Sequence, residues 1–79
     1  MPHNPLEDLP TRFFPVLRGI VGGKHNREIA DECGYTEHTV ESYASEIYSI
    51  LGCSGRADLI VRAYRGEFGN LNKLEEVSG

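Results

Sequence analysis

The stretch Asn26-Arg27-Glu28-Ile29-Ala30-Asp31-Glu32-Cys33-Gly34-Tyr35-Thr36-Glu37-His38-Thr39-Val40 decides the fold. Its first part places Ile29, Ala30 and Cys33 on one helical stripe and Glu28, Asp31 and Glu32 on the opposite side. Asn26 has the short polar side chain of an N-cap. Gly34 then supplies the tolerance of positive φ that a tight turn demands. Thr36 is a second N-cap residue, and Glu37 follows in the first turn, where the helix dipole favours negative charge. From there Val40, Ala44 or Tyr43, Ile47 and Leu51 recur on one face, so a longer helix is predicted over 36–51, stopped by Gly52. A short helix, a glycine-bearing turn and a longer helix make a helix–turn–helix.

Outward from this core, residues 12–22 carry an apolar stripe of Phe13, Phe14, Val16, Leu17, Ile20 and Val21. Thr11 is placed to cap it. Pro15 lacks the N–H of an interior turn, so the regular helix is predicted to begin near Phe14. Gly22-Gly23 ends it. On the other side, Ser54 caps a fourth helix over 55–66, with Leu59, Ile60 and Ala63 inward. No alternating strand pattern competes. The predicted fold is all-α, four short helices in one domain over 9–68. Residues 1–8, with Pro2 and Pro5, and the polar, acidic residues 69–79 read as tails.

Composition limits what such a domain does. The chain has 79 residues, 39% apolar and 25% charged, the balance of an ordinary soluble domain. It is too short for two lobes around a catalytic cleft. No apolar run approaches the ~20 residues of a membrane helix. Met1-Pro2-His3-Asn4 lacks the basic and apolar regions of a signal peptide, so a cytoplasmic protein is expected. Cys33 and Cys53 match no zinc spacing and read as small apolar residues of the interior. His3, His25 and His38 have no metal-ligand spacing, and Gly22-Gly23-Lys24 lacks the rest of a phosphate loop. No nucleophile motif stands anywhere. Neither an enzyme nor a bound cofactor, metal or small molecule is expected.

The residues go further than the periodicity. Leu9, Arg12, Val16 and Leu17 open the segment, and Gly23 precedes the second helix. Asn26-Arg27-Glu28-Ile29-Ala30, Thr36-Glu37-His38-Thr39-Val40 and Ile47 to Leu51 with Gly52-Cys53 and Arg56 follow in register. In these steps residues 9–64 resemble the LuxR/GerE-type helix–turn–helix domain without a gap. The resemblance implies a four-helix domain whose third helix, 36–51, enters the major groove of double-stranded DNA. It also implies a dimer joined through the fourth helix, the output module of a transcription regulator. Thr39 carries the hydroxyl that the family points at a phosphate, and Arg27 replaces its lysine. Lys24 and Arg56 join them near the backbone. Glu41 and Tyr43 then face bases, since Glu accepts from cytosine N4, and His38 joins them on the DNA side. The implied dimer surface is Leu59, Arg62, Ala63 or Gly66, facing a second copy or a related regulator.

Two departures from the family pattern matter. Phe13 and Pro15 stand where the family has acidic residues. That predicts a surface Phe13-Phe14 contact patch, unless both rings pack on the N-terminal tail or the fourth helix. The recognition helix holds Glu37, Glu41 and Glu46 and no Lys or Arg, in a chain of net charge −4 and pI near 5.2. A DNA-binding domain is ordinarily basic. Glu46 and Ile50 occupy positions where the family commonly has a polar or basic residue near the DNA backbone. An alternative therefore stays open: a protein-interaction module that keeps the fold, has lost DNA binding, and presents Phe13, Tyr48 and Ile50 to a related regulator.

Overall fold

Backbone chemistry sets the helix ends. The computed structural model describes residues 5–69, and among these there are two 3-10 turns, Pro5–Asp8 and Thr11–Phe13, then four α-helices and no strand. The helices are α1 (Phe14–Val21), α2 (Asn26–Cys33), α3 (Glu37–Leu51) and α4 (Arg56–Tyr64). Pro15 falls in the first turn of α1, where its missing N–H has no helical partner to lose. Thr11 lies inside a 3-10 turn and does not cap α1; Phe13 holds the N-cap position.

The ends of α2 and α3 define the helix–turn–helix. The N-cap of α2 is His25, in extended backbone, one residue earlier than predicted. Its N–H donates to Glu28 Oε1 (3.2 Å). Asn26 is therefore inside the helix, and its side chain is used elsewhere. Gly34 ends α2 at φ +75°, a conformation that costs a residue with a Cβ, and the Tyr35 N–H donates to the Ala30 carbonyl (2.9 Å). Thr36 caps α3 as predicted, its Oγ1 accepting from the Thr39 N–H (3.1 Å). At α4 the cap differs. Gly55 is the N-cap, and Ser54 instead donates its N–H to the Asp58 carboxylate (2.9 Å).

The core gathers one stripe from each helix. Leu17 and Ile20 of α1, Ile29 of α2, Val40 and Ile47 of α3 and Leu59 of α4 are essentially fully buried. Each such side chain contributes about 1.5–3 kcal/mol over an exposed one. Helices α1 and α3 each touch the other three helices, and α3 also meets both 3-10 turns. Phe68 closes the core beyond α4.

Several expectations change. Phe13 is 1% exposed, not a surface residue. The 3-10 turn ahead of Pro15 carries its ring inward against Tyr43 of α3, with centroids 4.7 Å apart. Phe14 is half-buried. Ile60 is half-buried, because the inward line of α4 runs through Leu59 and Ala63. Both cysteines are half-buried rather than interior. Pro5–Asp8 is a 3-10 turn with Leu6 packed on the core, so the folded unit begins before Leu9. Residues 1–4 and 70–79, most of the predicted tails, lie outside the described residues.

Gly19 is a helix residue that a stripe analysis passes over. A Cβ built on it would lie 2.5 Å from Cγ1 of Ile29, which is itself fully buried. The close approach of α1 to α2 depends on its absence. Gly19→Ala should raise helix propensity by roughly 1 kcal/mol but overpack the interface by about 1–3 kcal/mol. The expected net result is a loss of about 1 kcal/mol in urea denaturation. A gain in stability would show that α1 and α2 separate without cost.

Candidate nucleic-acid interface

Helix α3 presents one polar face to solvent. Residues advance by about 100° around an α-helix, so Val40, Ala44, Ile47 and Leu51 turn toward the core. His38, Ser42, Ser45 and Ser49 fall on the opposite side, and all four are exposed. Glu41 and Glu46 flank this stripe on its two sides, also exposed. No Lys or Arg stands anywhere on the helix. His38 and Glu41 were singled out from the sequence. The serines were not, although their spacing from His38 at four, seven and eleven residues is the signature of one helix face.

Thr39 sits half-buried in the first turn of α3. Thr36 donates its hydroxyl to Thr39 Oγ1 (3.0 Å). Thr39 Oγ1 accepts there and keeps its own proton to donate, for which a phosphate oxygen is a suitable acceptor. Tyr43 does not share this face. Its ring is held between Phe13 and Tyr35, the latter edge-on at 5.4 Å. It forms the wall of an aromatic cluster at the core edge, which corrects its assignment as a base reader.

The cations near the start of α2 have different commitments. Lys24 Nζ lies 2.6 Å from both carboxylate oxygens of Glu32. That pair is half-exposed, and such pairs hold weakly enough to exchange for a phosphate. Arg56 donates from Nη1 to Asn26 Oδ1 (3.3 Å) and from Nη2 to the Lys24 carbonyl. It clasps α4 to the start of α2, and this explains where the Asn26 side chain goes. Arg27 is exposed and has no ion pair among the described residues. Arg12, absent from the sequence-derived set, stacks over Phe13 at 4.6 Å. It shares a shallow groove of about 310 Å³ with Glu46, Ser49 and Ile50.

The fourth helix also needs correction. Leu59 is fully buried and Ala63 nearly so, so neither can meet a second subunit. Arg62 is tied to Glu67 (2.9 Å), the Gly52 carbonyl (2.7 Å) and Asp58 (3.6 Å). The Glu67 bond chiefly holds its guanidinium above the ordinary arginine range. Gly66 is exposed beyond the helix end. The solvent face of α4 is instead Ala57, Val61 (48% exposed) and Tyr64 (77%), with Ile60 at its edge.

The thiols take no part in this surface. Burial pushes Cys33 up, with Glu32 adding to it, and burial likewise pushes Cys53 up against the pull of Arg62. Both stay protonated at neutral pH, and a thiol in that state is a poor ligand or nucleophile. Among the described residues no three His, Cys, Asp or Glu are grouped to hold a metal, and no helix is long and apolar enough to cross a membrane.

The family model for bacterial regulatory proteins of the luxR family matches residues 9–63, which contain the whole helix–turn–helix. The chain belongs to this family. It is 33% identical over 64 residues to the DNA-binding transcriptional activator EvgA of Escherichia coli K12, a match covering 81% of this chain and 31% of EvgA. It is 36% identical over 55 residues to the probable transcriptional regulatory protein SgaR of Hyphomicrobium methylovorum, covering 70% of this chain and 26% of SgaR. The chain thus spans about a third or less of the length of these relatives. No solved structure matches it.

Proposed function

We propose that this LuxR-family domain binds double-stranded DNA through α3 and is the DNA-binding part of a transcription regulator. The observation that carries this is the exposed His38–Ser42–Ser45–Ser49 face, on a helix whose angle to α2 is set by Gly34 and Thr36. Short polar side chains let a helix approach the groove floor, and hydroxyls pair with any base edge. Arg27, Lys24 and the hydroxyl of Thr39 supply phosphate contacts. The relatives point the same way, since EvgA is named a DNA-binding transcriptional activator. This reading is of a cytoplasmic regulator and involves no catalytic step. The test is titration of a labelled duplex pool at low salt. Retention that weakens as salt rises supports the reading, and no retention at any salt sinks it.

One observation favours a second reading. Helix α3 has no cation, and Ile50 is exposed beside Glu46. A domain that has kept the fold and lost DNA would offer this surface to a protein. It would fail the duplex titration and bind a related regulator instead.

A lone domain with so few cations needs a second DNA contact, and a two-fold pair supplies it. Ala57, Val61 and Tyr64 form an apolar strip along the open side of α4. In a symmetric pair the same strip faces itself. Sedimentation of the parent chain should show a concentration-dependent dimer, and Val61→Glu should give a monomer with unchanged circular dichroism. A parent that stays monomeric at high concentration removes this arrangement.

A further inference from the structure

We infer that Glu41 is a specificity-determining residue that selects cytosine on the contacted DNA strand. The inference rests on the DNA-binding reading above and adds the base that the face prefers. A carboxylate accepts hydrogen bonds and donates none. In the major groove cytosine presents its N4 amino donor, guanine and thymine present acceptors at the equivalent edge, and adenine sets the N7 acceptor beside its N6 donor. A carboxylate at the groove floor is therefore attracted by cytosine, repelled by guanine and thymine, and only partly satisfied by adenine.

Position separates Glu41 from the other acidic residues of α3. Glu37 begins the helix one turn before Glu41, about 110° from the centre of the outward stripe against about 70° for Glu41. Glu46 lies on the flank that borders Arg12, Ser49 and Ile50, in the second half of the helix. Glu41 is exposed on the other flank, in the N-terminal half, next to Ser42 and one turn before Ser45. The N-terminal part of a recognition helix is the part that meets base edges. Ser42 and Ser45 are too small to hold the helix away from the groove, so Glu41 is the longest side chain beside the serine stripe at that depth. With no Lys, Arg, Asn or Gln on α3, no competing side chain there makes the bidentate contacts that select guanine or adenine.

The test is selection from randomised duplexes at low salt with the 79-residue chain and four variants, each first shown to be helical by circular dichroism. The parent should enrich cytosine at one position by about fivefold over the next base, the low end for a base contact because one N–H is shared. Glu41→Gln should move that position to adenine, which Gln contacts through N6 and N7 together. Glu41→Ala should leave it without preference. Glu46→Gln should return the parent's motif. If Glu41→Gln enriches the parent's motif, or the parent binds duplexes with no cytosine position, the assignment is overturned while DNA binding stands. If neither the parent nor Glu46→Lys retains any duplex, DNA binding itself falls, and this assignment with it.

Discussion

Phe13→Ala is expected to destabilise the domain by about 3–5 kcal/mol. The ring is 1% exposed and tilted 58° to Tyr43. Tyr43 in turn meets Tyr35 at 74°, so the three rings form one cluster joining the turn before α1, the helix–turn–helix corner and α3. Aromatic pairs of this geometry add about 0.5–1.5 kcal/mol beyond the area they bury. Removing the fully buried end of such a cluster leaves a cavity that short helices on either side cannot fill without moving. A small domain holds only about 5–15 kcal/mol in all, so the loss should be visible as a fall in melting temperature of at least about 12 °C. Phe14→Ala, at a half-buried position, should cost clearly less. Thermal unfolding followed by circular dichroism measures both. A Phe13→Ala loss below about 1 kcal/mol would mean that the ring lies on the surface, as the family's acidic pattern at that position suggests.

That contrast shows what the sequence can and cannot carry. The corner between α2 and α3 was legible because each residue there answers a local backbone demand: Gly34 a positive φ, Thr36 an unsatisfied N–H. Those demands act within four residues, and a reader of the chain sees them. Phe13 reads two ways: its spacing from Val16, Leu17 and Ile20 places it on the apolar stripe, whereas the family's acidic pattern at its position points outward, and only packing against Tyr43 decides. On α4, Leu59 and Ala63 read both as core and as partner contacts, and only packing against α1 decides between them. The cations are harder still. Arg56 is bound to Asn26 and to the Lys24 carbonyl, 30 and 32 residues away, and no local period reports such a clasp. Ser42, Ser45 and Ser49 lie opposite Val40, Ala44, Ile47 and Leu51 at the helical period, so this stripe is legible in the sequence once the apolar face is marked.

Glu46→Lys is expected to tighten binding to every duplex by about tenfold at low salt, with no change in base preference. Glu46 borders the same groove as Arg12, at the flank of α3 rather than on its outward stripe. A carboxylate there repels phosphates and offsets the one cation beside it. Replacing it removes one repulsion and adds one attraction. Each unit charge brought near another in water changes the energy by about 1 kcal/mol at contact, and a factor of ten is about 1.4 kcal/mol. The salt dependence gives an independent check. Counting Lys24, Arg27 and Arg56 from the sequence predicts a slope of log affinity against log salt of roughly −3 per subunit, about −0.9 for each phosphate neutralised. Arg56 is engaged within the fold, so Lys24 and Arg27 remain and the parent's slope should be roughly −2. Glu46→Lys should steepen it by about one unit. An unchanged slope together with unchanged affinity would place Glu46 away from the DNA backbone. Failure of both proteins to retain duplex at low salt would leave the acidic face of α3 as a protein contact, because adding a cation where repulsion is strongest had not restored even non-specific attraction.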